Sequence, residues 1–191
     1  MGTTALAVEL LVIGYQALIW LVLLTCLMFN ISGETVLQEL KEWKEVVVVG
    51  SVVVAYTVGA VVNGIVAKIM EKREVWVHQR VQRQQNLQEP RPVPSIMRAA
   101  ILVKNPDVYK PVIQNLDIPK VLRSTIFNIL LIGVFATIHA SSQSTALITA
   151  PAVAFCFIIA TGLSVWAWFE MAENYYIHLC ATYDEVLRNM K

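Results

Sequence analysis

Residues 46–69 of the chain read VVVVGSVVVAYTVGAVVNGIVAKI, and this stretch decides the fold class. It contains no charged residue before Lys68. A helix needs about 20 apolar residues to cross the roughly 30 Å hydrocarbon core of a bilayer. So many valines would favour a strand in water, but a segment surrounded by lipid must satisfy its backbone hydrogen bonds internally. We therefore expect a transmembrane helix here.

Three further blocks have the same character, at residues 5–29, 121–140 and 146–169. Of the 191 residues, 57% are apolar and only 15% are charged, whereas about a quarter are charged in a typical soluble domain. The sequence therefore predicts an all-α polytopic membrane protein, a four-transmembrane-helix bundle with cytoplasmic helical extensions.

Charge predicts the orientation of these helices. Residues 71–123 contain ten Lys or Arg and five Asp or Glu, whereas residues 30–45 carry a net charge of −2. Basic loops remain in the cytoplasm. We therefore expect residues 71–123 and both termini to be cytoplasmic.

The predicted organisation has four consecutive parts. Residues 1–70 form transmembrane helices 1 and 2, and residues 71–120 form a cytoplasmic basic helical region. Residues 121–170 form transmembrane helices 3 and 4. Residues 171–191 form a cytoplasmic helix with one apolar face, which begins at Tyr176 and recurs at helical spacing.

Within the basic region, the second transmembrane helix is expected to continue to about Gln88, because no Gly or Pro interrupts it. The prolines of residues 90–94 should end it. Ser95 is predicted to cap a short helix that ends at Lys104, and Asn105 to cap the next. Asp117 is predicted to cap the helix that enters the membrane.

Small residues recur every four positions in the second block, at Ser51, Ala55 and Gly59. Such stripes let helix backbones approach closely in a membrane. The stripe predicts either packing against another helix of the same chain or a face for self-association.

Three polar side chains lie near the cytoplasmic ends of their blocks: Glu9, Asn63 and Asn128. Counting from those ends places them at a similar depth, and such groups are costly in lipid, so they should avoid it. Three interpretations remain open: a polar clamp that orients the bundle, a constriction or ion-interacting layer, or a Glu9 side chain that reaches the headgroups.

The cytoplasmic region presents a basic surface, which comprises Arg73, Arg80, Arg83, Arg91 and Arg98. One interpretation is that it serves only to fix topology and contact anionic lipid. Alternatively, it binds a soluble cytoplasmic protein or an anionic ligand such as a nucleotide. A nucleic-acid partner is disfavoured, because no readout motif accompanies the arginines.

The sequence gives little support for catalysis. It has no HExxH, Gly-rich phosphate loop or GxSxG motif. Arg73 and His78 match the R-x4-H spacing of HEPN ribonucleases, a match that chance explains among so many arginines. The three cysteines, Cys26, Cys156 and Cys180, lack metal-binding spacing. We therefore expect no enzyme activity, no metal and no cofactor.

The expected layout has four helices, both termini inside and a basic middle segment. In this layout the chain resembles small four-transmembrane-helix membrane proteins of bacterial antiphage defence loci. These include four-transmembrane effectors and the membrane subunit of Kiwa-type systems. The resemblance covers the whole chain as layout and carries over no individual residue. It implies a protein of the bacterial inner membrane that oligomerises and either senses or breaches the membrane.

Three functions follow as hypotheses. The first is a homo-oligomeric membrane sensor or effector in bacterial defence, with or without a pore. The second is an accessory subunit that anchors a soluble cytoplasmic partner through its basic region. The third, a membrane-bound enzyme, is disfavoured by the missing motifs. The expected partners are the lipid bilayer, further copies of the chain and, for the second hypothesis, a soluble protein.

Overall fold

A computed structural model describes residues 3–31, 38, 41–42, 44–84, 92–142 and 146–188 of the chain. Within these residues it contains five long or well-bounded helices and no strand, so the predicted all-α fold is confirmed. The helices are α1 (Thr3–Phe29), α2 (Lys44–Gln84), α3 (Pro94–Lys104), α4 (Pro106–Ser141) and α5 (Ala146–Arg188).

Four of these helices are long and apolar enough to cross a membrane, which indicates an integral membrane protein. With 41 residues in α2 and 43 in α5, each is about 60 Å long at the helical rise. That is roughly twice the thickness of a hydrocarbon core. Only about half of α2 and of α5 can therefore lie in lipid.

We call α1, together with residues 44–69 of α2, 124–141 of α4 and 146–167 of α5, the membrane part. There α1 packs between α2 and α4, and α4 packs against α5. The contact between α1 and α2 is a close approach of two backbones. A Cβ atom added at Gly14 would overlap the carbonyl of Ala55, and one added at Gly59 would overlap the carbonyl of Leu10. This pairing shows that α1 and α2 run antiparallel, and it explains why glycines occupy both positions.

Beyond the membrane part, four elements share a second core that we call the head. The head comprises residues 70–84 of α2, all of α3, the first turns of α4 up to Arg123, and residues 168–188 of α5. Its largest fully buried side chains are Trp168, Met97, Ile101 and Leu179. Burial of Tyr176, Leu179 and Cys180 agrees with the apolar face predicted for the end of the chain. That face belongs to α5, which continues without a break from the membrane part.

The helix boundaries correct two predictions from the sequence. Ser95 does not cap α3: the N-cap is Val93, no side chain bonds there, and Pro94 occupies the first turn. Asp117 does not begin a new helix, since α4 runs unbroken from Pro106. Proline fits the first turn, which needs no N–H partner, and transmembrane helices tolerate interior prolines such as Pro119. The predicted extension of α2 is confirmed as far as Gln84.

Candidate functional site

The polar side chains of the membrane part make hydrogen bonds between helices. Asn128 is fully buried. Its Nδ2 donates to the carbonyl of Ile13 at 3.0 Å and lies 3.3 Å from Gln16 Oε1. Its Oδ1 accepts a hydrogen bond from Trp20 Nε1 at 3.1 Å. One side chain of α4 is thereby bonded to three residues of α1.

Asn63 of α2 bonds elsewhere, since its Oδ1 accepts from the Ser124 hydroxyl at 3.2 Å. Ser124 lies one helical turn before Asn128, so the two amides occupy adjacent levels with different partners. Glu9 is half-buried and lies one turn before Ile13. The structure thus turns both amides towards neighbouring helices, as a clamp requires. An ion-interacting role for these residues stays a prediction.

The small-residue stripe of α2 faces α1 of the same chain. Ala55 and Gly59 are buried against it. Ser51 shares a 3.3 Å hydrogen bond with the Tyr15 hydroxyl. Packing within the chain therefore occupies this face, and self-association would need another one.

A largely buried ion pair lies in the head, at the boundary with the membrane part. Arg123 of α4 forms an ion pair with Glu74 of α2, with 2.5 Å between Nη1 and Oε1. The Arg123 side chain is only 10% exposed, whereas Glu74 is 34% exposed. A guanidinium buried to this extent needs further acceptors beyond one carboxylate oxygen.

Three buried donors beside this ion pair lack a hydrogen-bond partner among the residues that the structure describes: Arg123 Nε, Trp168 Nε1 and Tyr175 Oη. All three residues line one cavity of about 200 Å³. Arg98 and Lys120 line it as well, together with Glu74. We call the cavity bounded by Arg98, Lys120, Arg123, Trp168 and Tyr175 the donor pocket.

A second cavity of about 380 Å³ adjoins the donor pocket and shares Glu74, Pro94, Arg98 and Tyr176 with it. His78 lines this larger cavity and is buried, with its ring centroid 5.3 Å from that of Tyr176. Its Nε2 lies 3.3 Å from Gln82 Nε2. The head therefore contains two neighbouring cavities between α2, α3 and α5 that share four lining residues.

Tyr175 and Tyr176 are held as neutral hydroxyls. Tyr175 follows Ile148, where the apolar span begins, by about 40 Å of helix, so it lies beyond the hydrocarbon core. Burial raises the pKa of Tyr175, although the nearby Arg98 charge opposes this. Burial, reinforced by the Glu74 charge, raises the pKa of Tyr176. At neutral pH the Tyr175 hydroxyl is therefore a donor.

Searches of protein-family models, curated proteins and solved structures find no match to this chain. Function must therefore be argued from the geometry of the head and of the membrane part.

The arginines of the predicted basic surface differ in their exposure to solvent. Arg98 is half-buried and lines both cavities. Arg73, Arg80 and Arg83 are exposed on α2, and the Arg80 guanidinium lies 5.7 Å from the centre of the Trp76 ring. Arg91 lies outside the described residues. Arg73 is exposed while His78 is buried, so the R-x4-H pair does not share one surface.

Sequence reasoning missed the remaining residues of the donor pocket. Trp168 and Tyr175 precede Tyr176 and Leu179 on one helical face, so extending that face backwards would have found them. Arg123 and Lys120 were counted only as topology signals. Within the described part of the chain, no group of three or more His, Cys, Asp or Glu side chains is placed to hold a metal ion.

Proposed function

We propose that the chain is a homo-oligomeric, non-enzymatic membrane sensor or effector in which the head controls the membrane part. The observation that carries this proposal is the continuity of two helices. Both α2 and α5 pass from the membrane part into the head without a break. A rigid helix transmits a rotation or shift along its length, so a change in the head reaches the bilayer.

Side-chain contacts inside the head support this coupling. Trp76 of α2 packs edge-on against Phe169 of α5, with 6.0 Å between ring centroids. The ion pair of Glu74 with Arg123 ties α2 to α4 close by. Three of the four membrane helices are therefore joined where the head begins, and rearranging these contacts would move them together.

A face of α2 that the chain leaves open supports the homo-oligomer. Thr57, Ala60 and Gly64 are exposed at successive turns. A Cβ atom added at Gly64 would meet nothing within 4 Å. Small residues on an open helix face suit close packing against a helix of another copy.

A pore, if the effector forms one, is expected between copies. Inside one chain the polar contacts of Asn128 link α1 to α4 and fill the space between them. The resemblance in layout to four-helix proteins of antiphage loci favours an effector that permeabilises the bacterial inner membrane on assembly. The head and both termini would face the cytoplasm.

A liposome flux assay tests this proposal. Purified protein is reconstituted into liposomes loaded with an ion-sensitive dye. We expect flux through the wild-type protein, and altered flux when two glycines are inserted after Lys72, where α2 leaves the membrane part. The same insertion after Gln84, at the far end of α2, is the control and should leave flux unchanged. Equal behaviour of both insertions would contradict the proposed coupling, and no flux through the wild-type protein would contradict the pore.

A second function is favoured by the exposed arginines of α2, namely an accessory subunit that anchors an acidic soluble protein. Arg73, Arg80 and Arg83 project from the head into solution. Co-purification with the product of a neighbouring gene, lost when all three become Gln, would support this alternative over the effector.

A further inference from the structure

The donor pocket contains hydrogen-bond donors that face no acceptor. Trp168 is 1% exposed and Tyr175 is 4% exposed, yet in the described part of the chain neither the indole N–H nor the Tyr175 O–H has an acceptor, while the Tyr175 oxygen interacts with Arg98. Buried polar groups in folded proteins are nearly always hydrogen-bonded. Arg123 Nε also lacks a partner, and these three residues, which come from two helices, line one cavity. The cavity therefore suits a group made of acceptors.

The charges around the pocket favour an anion. Arg98 and Arg123 contribute two positive charges, and among the described residues of the lining Glu74 is the acidic one. Since Glu74 already bonds Arg123 Nη1, its charge is directed to that guanidinium while Nε remains available. A planar guanidinium matches the oxygens of a phosphate group.

The volume and position of the donor pocket indicate which anion it can hold. A volume of about 200 Å³ equals that of about seven liquid water molecules, which accommodates one phosphate group. Trp168 and Arg123 lie where the membrane part meets the head, at the level of lipid headgroups. Tryptophan and basic residues are common at this level.

From this geometry we propose that the donor pocket binds a phosphate group, supplied either by the headgroup of an anionic lipid or by a soluble phosphate ester. Arg98 and Arg123 neutralise its charge. Trp168 and Tyr175 donate neutral hydrogen bonds to its oxygens. This inference does not depend on the effector proposal, since a phosphate site would serve an anchor subunit equally well.

The test uses delipidated full-length protein in dodecyl maltoside, which contains no phosphate. Thermal unfolding is followed by tryptophan fluorescence with sodium phosphate or with sodium chloride at equal ionic strength. In parallel, phosphatidylglycerol is compared with diacylglycerol, which lacks the phosphate. We expect the midpoint of unfolding to rise by several degrees with phosphate, phosphatidylglycerol or both, and to stay constant with chloride and diacylglycerol.

The two arms distinguish the sources. A response to phosphatidylglycerol alone identifies a lipid headgroup, and a response that includes inorganic phosphate identifies a site open to soluble esters. No response in either arm would overturn the proposal, because ordered water then satisfies the donors.

Single substitutions distinguish phosphate binding in the donor pocket from non-specific attraction of phosphate to a basic surface. Tyr175→Phe removes an O–H that has no acceptor among the described residues, together with the interaction of its oxygen with Arg98, so it should fold about as stably without ligand. Its phosphate affinity should fall about tenfold, as expected for one hydrogen bond to a charged group. Arg98→Gln should weaken binding at least as much. Arg188→Gln makes the same charge change at an exposed position outside the pocket and should have no effect. A ligand-induced shift that survives unchanged in Tyr175→Phe and Arg98→Gln would refute the assignment.

Discussion

Asn128 of α4 donates a hydrogen bond to the backbone carbonyl of Ile13 in α1, at 3.0 Å. A helix carbonyl has a second lone pair, so it accepts this bond in addition to the one within its own helix. The same amide also contacts Gln16 and Trp20. The amide therefore fixes the register of α1 against α4, which apolar side chains alone specify poorly inside lipid.

Replacing this amide should destabilise the bundle. Asn128→Leu keeps the side-chain volume but leaves Trp20 Nε1 and the Gln16 amide without this partner. Hydrogen bonds between membrane helices average about 0.6 kcal/mol, so we expect a loss of about 1–3 kcal/mol in resistance to unfolding by SDS. Ser164→Ala is the matched control, because among the described residues its hydroxyl bonds only the carbonyl of Ala160 in its own helix. Equal effects of the two changes would show that Asn128 does not orient the helices.

Two glycines of α2 should respond oppositely to the same change. Gly59→Ala puts a methyl group into the carbonyl of Leu10 and should separate α1 from α2, at a cost of about 3 kcal/mol or more. Gly64→Ala meets open space within the chain, and alanine is still small enough for the proposed contact with another copy, so the change should be neutral or stabilising by up to about 1 kcal/mol because alanine favours a helix. Thermal unfolding followed by circular dichroism measures both. A harmless Gly59→Ala would contradict the described pairing of α1 with α2.

The ion pair of Glu74 with Arg123 should show strong energetic coupling. Glu74→Gln leaves a largely buried guanidinium without its carboxylate, whereas the double change to Gln at both positions removes the charge as well. A double-mutant cycle on unfolding stability should give a coupling energy of about 1–3 kcal/mol. Glu71→Gln, at an exposed position one turn away, should change stability by less than about 0.5 kcal/mol. A coupling energy near zero would mean that water solvates Arg123 well enough for its pairing with Glu74 to add no stability.

Orientation in the membrane can be tested by cysteine labelling. Ser142 and Ser95 are both exposed and lie at opposite ends of the molecule. A Cys156→Ser background removes the exposed native thiol, while Cys26 and Cys180 are buried. An impermeant maleimide added to whole cells should label Ser142→Cys, and should label Ser95→Cys only after permeabilisation. The reverse pattern would place the head outside the cell.

The membrane helices were predictable from the sequence because lipid leaves few alternatives. A charge-free run such as residues 46–67 must satisfy its backbone hydrogen bonds within the segment. It therefore forms a helix in spite of the strand propensity of valine. Asn63 and Asn128 were also predictable as groups that avoid lipid. Their partners were not, because Ser124 and the carbonyl of Ile13 carry no sequence signal of pairing.

Other features depend on tertiary packing and were missed for that reason. Serine is a common N-cap residue, which is why Ser95 was predicted to cap α3. Pro94, however, already fixes the first turn of that helix. The donor pocket forms only when α4 and α5 meet, which brings Arg123 beside Trp168 and Tyr175. No spacing within either segment reveals that meeting.

Self-association is the claim on which the proposed function depends, and the mass of the assembly in lipid nanodiscs tests it most directly. Native mass spectrometry should find two or more chains in each wild-type particle. Gly64→Leu should shift the protein towards single chains, because it fills the open face of α2 without entering the contact with α1. A wild-type protein present only as single chains would contradict the account.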